Sequence, residues 1–226
     1  ANGIYSIANK FPNVFINFYN ILNLSWTETV SLHFDDEDRD EFLTETMTSL
    51  FKLFAAACFG IVACMPFVFP ILINEKYVAG YDQILILMYA MLFRVLVGLY
   101  SCIYVAQKNA KKIAYTSISA AIINITVNLI LINKIKIFAA SISTLVAFFS
   151  MFIIRYIDVN KTVHMRIRKP IIIGSILIGT MLIGTYYCEN KMIQLIALCI
   201  TAIYAVLTNV DMLKSGMKLV KSRFGK

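Results

Sequence analysis

Arg94 stands alone at the middle of a long apolar run, Asp82 to Ala106 (DQILILMYAMLFRVLVGLYSCIYVA). That run is long enough to cross a bilayer. A guanidinium at such depth costs about 2.5–3.5 kcal/mol on insertion scales. Midway along a span it cannot easily snorkel to either surface, so it must face protein, water or a ligand. We read it as the mark of an anion-handling pathway inside a helix bundle. Two further groups of polar residues recur at helical spacing. Ser6, Asn9, Asn13, Asn17 and Asn20 form one stripe, with Lys10 beside it and Pro12 close by. Ser117, Ala121, Asn124 and Asn128 share a face of another apolar segment. Two readings of the first stripe stand side by side: a wet face lining a cavity, or an amide seam bonded to neighbouring helices. Asn124 and Asn128 need partners in either case, because an unsatisfied amide in hydrocarbon costs several kcal/mol.

The elements that carry these residues are membrane spans. The chain is 59% hydrophobic with 15% charged residues, and its mean hydropathy is +0.74. Soluble domains carry about 25% charged residues. The expected architecture is all-α, a polytopic membrane helix bundle of about seven transmembrane helices. We place spans at about 3–26, 50–73, 82–106, 113–132 and 137–157, then a shorter pair at 170–188 and 192–213. Residues 1–158 hold the first five spans, and 159–226 hold the last two and a basic tail. Function must lie between helices, since no loop is long enough for a soluble catalytic domain.

Between the first two spans lies an acidic segment, 27–48, holding eight of the thirteen carboxylates. Phe34, Phe42 and Leu43 punctuate it, which predicts a helix lying at the membrane surface. It lacks the central Gly of an EF-hand loop. The cysteines Cys58, Cys64, Cys102, Cys188 and Cys199 fall in or beside apolar runs without CxxC or zinc spacing, and read as small packing residues. No metal or cofactor is called for. Pro66 and Pro70 near the end of the 50–73 span mark either a gating bend or a packing feature.

Loop charges give the orientation. The side of the tail carries thirteen Lys or Arg, counting Arg155 as a loop residue, against four on the other (Lys76, Lys134, Lys136, Lys191). The positive-inside rule puts the first side, and the C-terminus, in the cytoplasm. The basic residues sit in loops beside spans, without the clustered basic and aromatic face of a nucleic-acid binder. The chain starts at Ala1 with a helix almost at once, and we expect an upstream half to complete it.

GIYSIANKFPN at 3–13, Trp26 with DRDEF at 38–42, IYVAQKNAKK at 103–112 followed by Asn124 and Asn128, and FIIRYIDVNK at 152–161 come in order over about 160 residues. Together they resemble bacterial polysaccharide flippases of the O-antigen (Wzx) type. These belong to the multidrug/oligosaccharidyl-lipid/polysaccharide exporter superfamily. One departure is plain: where the family often has a Gly-x-x-Gly-Ala run, this chain has Lys136, Phe138, Ala139 and Ala140. The resemblance implies the C-terminal half of a fourteen-helix, alternating-access transporter in the bacterial cytoplasmic membrane, with residues 1–158 as most of one transporter lobe and 159–226 as two accessory helices and a basic tail. Its implied substrate is a polyprenyl-diphosphate-linked glycan, and its implied partners are the lipid bilayer and the missing N-terminal half. On that reading Arg94 meets phosphate oxygens, Lys10 adds a point charge, and Asn13, Asn17, Asn124 and Asn128 bond sugar hydroxyls.

Rival functions want other residues. A cation-coupled multidrug exporter of the same superfamily usually needs a carboxylate deep in the bundle, whereas Asp82, Asp158 and Asp211 lie near span ends. A membrane enzyme of polysaccharide assembly would need a large outer loop or a histidine within a span. Neither is present, and no nucleophile–base pair stands out.

Overall fold

The structure, a computed structural model, describes residues 2–224. Its elements are α1 (Asn2–Ala8), α2 (Lys10–Leu32), α3 (Arg39–Leu72), a 3-10 turn (Glu75–Gly80), α4 (Tyr81–Ala106), α5 (Ala110–Ile135), α6 (Ile137–Val159), α7 (Lys169–Tyr186) and α8 (Lys191–Phe224). Among the described residues six helices, all but α1 and α2, are long and apolar enough to cross a membrane. The chain is an all-helical, polytopic membrane bundle.

The first expected span, 3–26, is instead two helices, and it is not among those six. Pro12 has no N–H to give the Ala8 carbonyl, which is where the helix breaks. Asn9 bridges the break, donating from Nδ2 to the Tyr5 carbonyl at 2.8 Å. The amides that follow make α2 too polar to count with the other spans.

The acidic segment is not a separate surface helix. Its first part, through Leu32, extends α2, and its last part opens α3 at Arg39. Asp40 and Glu41 stand in the first turn of α3, where the helix dipole favours carboxylates. Leu43, Met47, Phe51 and Phe54 then bury one continuous stripe. A helix of 34 residues is about 51 Å long, against a hydrocarbon core of about 30 Å. The acidic turns therefore project beyond the span.

An extended strap, residues 163–168, lies along those projecting turns. Val163, Met165 and Ile167 are buried while His164, Arg166 and Arg168 are exposed, the period of two that extended backbone imposes. The backbone N–H groups of His164, Arg166 and Arg168 donate to Asp40 Oδ2, Thr44 Oγ1 and Thr48 Oγ1 at 3.0, 3.3 and 3.4 Å. Four helical residues rise about 6 Å and two extended ones about 6.6 Å, so the two ladders stay in register.

α4 is the centre of the bundle, packed on α2, α3 and α6. Gly98 makes its contact with α2 possible: a Cβ there would overlap the Tyr19 hydroxyl. α5 and α6 are joined through Lys136 alone, whose φ of 48° turns the chain sharply. α7 and α8 pack on α3, with Tyr89 donating to the Gly179 carbonyl at 2.8 Å. α8 continues past the expected end at 213 to Phe224, with one non-helical residue at Asn209.

Candidate functional site

Arg94 projects from the middle of α4 and is exposed, while Val95, Leu96 and Val97 beside it are buried. Its guanidinium lies 5.9 Å from the centroid of the Phe148 ring of α6. Gly98, one turn on along the same face of α4, meets Tyr19 of α2. Among the described residues Arg94 has no hydrogen bond and no ion pair. It is a midspan cation at the flank shared by α2, α4 and α6, with its donors unspent.

Arg155, read from the sequence as a loop charge, lies inside α6 and is only 2% exposed. Its Nε donates to Thr116 Oγ1 at 3.0 Å, and Nη1 to the Val97 carbonyl at 3.0 Å and to Ser101 Oγ. Nη2 reaches Ser117 Oγ at 3.4 Å. Every one of these partners is neutral. The carboxylate one turn on, Asp158, is taken by Lys112 at 2.7 Å and accepts from the Tyr104 hydroxyl at 2.9 Å. A buried charge is tolerable only when its donors are satisfied, and here four oxygens from α4 and α5 do that. The polar run Thr116–Ser117 and the lone Ser101 were the available signals for this site.

The turn of α4 from Val97 to Cys102 thus serves both neighbours. Toward α6 it meets Arg155. Toward α2 it accepts the Trp26 indole N–H on the Leu99 carbonyl at 3.2 Å, and Cys102 Sγ sits 3.2 Å from Thr27 Oγ1. Asn23, which the sequence reading passed over, accepts from the Tyr19 hydroxyl at 2.6 Å.

The remaining sequence-derived candidates divide. Asn124 and Asn128 lie in the α5–α6 seam, donating to Thr144 Oγ1 at 3.5 Å and Ser143 Oγ at 3.4 Å. Lys10, Asn13 and Asn17 are exposed along α2. Among the described residues no hydrogen bond, ion pair or ring contact joins any two of Arg94, Lys10, Asn13, Asn17, Asn124 and Asn128. Among the described residues the geometry supplies a flank bearing the unpaired Arg94, not a closed pocket. A cavity of about 410 Å³ at the end of α6 is lined by Tyr104, Lys112, Asp158 and Lys161. An apolar groove of about 430 Å³ runs between α6 and α7 past Phe93, Phe149, Phe152 and Gly179.

Comparisons with family models, with curated proteins and with solved structures give no match. The class that the fold defines is therefore that of a multi-pass helical membrane protein.

Proposed function

We propose that this chain is part of a flippase that moves a polyprenyl-diphosphate-linked oligosaccharide across the bacterial cytoplasmic membrane, its basic end and C-terminus cytoplasmic. The observation that carries this reading is Arg94: a midspan guanidinium, exposed and without a counter-ion among the described residues. A diphosphate with attached sugars cannot cross hydrocarbon unaided. A planar fork of donors replaces part of its water shell, and the exposed amides Asn13 and Asn17 of α2 offer bonds to hydroxyls. Arg155 supports the reading indirectly, by fixing α4, α5 and α6 around the base of that flank. Transport by alternating access would expose this flank to each side in turn, with a second lobe completing the cavity. A drug-for-cation exchanger is disfavoured because the mid-height charge is positive and Asp82 and Asp158 stand near helix ends.

Glycan export in cells tests the proposal. A charge-assisted hydrogen bond contributes about 1.5–3 kcal/mol, roughly 10- to 150-fold in binding. Arg94→Ala at normal protein level is expected to lower export by at least about tenfold, with Arg94→Lys intermediate. Unchanged export by Arg94→Ala contradicts the proposal.

A further inference from the structure

α3 runs on as a single helix through Pro66 and Pro70. Neither proline has an N–H, so the carbonyls four residues earlier, those of Val62 and Pro66, lose their helical donors. Inside a membrane such carbonyls need donors from elsewhere. One donor comes from α8: Lys191 Nζ donates to the Pro66 carbonyl at 3.1 Å. The same ammonium lies 5.6 Å from the Phe67 ring centroid. Asp82 and Glu189 line the vestibule of about 430 Å³ that Lys191 also borders. Yet among the described residues no carboxylate pairs with this lysine. The lysine is spent on the backbone.

The Val62 side has a matching arrangement. A small cavity of about 10 Å³ is bordered by Val62, Pro66, Thr185 and Gln194, which is room for about one water. Gln194 is 7% exposed. Its Nε2 donates to the Cys188 carbonyl at 2.7 Å, and its Oε1 has no partner. Val62 and Gln194 both border this space of one water's size, each with an acceptor to satisfy, the Val62 carbonyl and Gln194 Oε1, and a water has two protons to give. We propose that this cavity is a buried water site. With Lys191 it replaces both hydrogen bonds that the prolines delete, so α8 holds the proline segment of α3 in place.

The two prolines make the test specific. In the full chain in nanodiscs, Lys191→Met is expected to lower the melting temperature by about 5 °C. Pro70→Ala returns an N–H to the Pro66 carbonyl, and in that background Lys191→Met is expected to shift melting by less than about 1 °C. An equal drop in both backgrounds overturns the lysine's role. Lys191→Arg, which keeps a donor, is expected to melt within about 2 °C of the unsubstituted chain. A fall as large as that of Lys191→Met overturns it too. For the water, a high-resolution cryo-EM map is expected to show one peak within about 3.2 Å of both the Val62 oxygen and Gln194 Oε1. A map with no density there overturns the site.

Discussion

Two arginines on neighbouring helices answer the same problem of a cation at depth in opposite ways. Arg155 spends its donors on Thr116, Ser101, Ser117 and the Val97 carbonyl, whereas Arg94 keeps its own unspent. The first is a structural rivet between α4, α5 and α6. Thr116→Val removes one oxygen from the rivet and leaves a buried charged donor without an acceptor. That should cost about 1.5–3 kcal/mol, read as a lower melting temperature in detergent. Melting unchanged by Thr116→Val would mean that the guanidinium finds another acceptor. Only Arg94 could be picked out from the sequence, because it interrupts an apolar run at its centre. Arg155 stands four residues from the end of α6, where positive charge normally reports topology, and hydropathy says nothing of the hydroxyls that neighbouring helices bring to it.

Among the elements, the strap at 163–168 ties the start of α7 to the projecting turns of α3. Its backbone bonds go to Asp40, Thr44 and Thr48, while the ion pair of Arg168 with Glu45 at 2.8 Å is exposed on both sides. Such pairs contribute about 0–1 kcal/mol. Amide exchange at Arg166 should therefore quicken about tenfold in Thr44→Val and stay unchanged in Glu45→Gln. Faster exchange in the second variant alone would show that the ion pair, not the ladder, holds the strap. The alternation V-H-M-R-I-R was visible in the sequence, and so was the acidic partner segment. Their pairing was not, because 120 residues separate Thr44 from His164 and nothing local links them.

At the scale of the whole molecule, the sequence located the apolar spans closely. The expected 82–106 and 137–157 correspond to α4 at Tyr81–Ala106 and α6 at Ile137–Val159. It located what lies beyond the hydrocarbon poorly. α3 gained its acidic turns and α8 its extension to Phe224, since helix propagation outside a membrane depends on packing that hydropathy does not register. The candidate site was legible as single residues and not as an assembly. Arg94 lies on a flank, while Asn124 and Asn128 are committed to the α5–α6 seam. Transport through this flank requires that it see water and an anionic headgroup in place of acyl chains.

Labelling at position 94 tests that requirement most directly. Arg94→Cys, in a background with Cys58, Cys64, Cys102, Cys188 and Cys199 replaced by alanine, is treated in native membranes with a charged, membrane-impermeant thiol reagent. Labelling by the impermeant reagent is expected, because the flank is wet. Labelling only by a bilayer-soluble maleimide would show that position 94 faces acyl chains and would overturn the proposal.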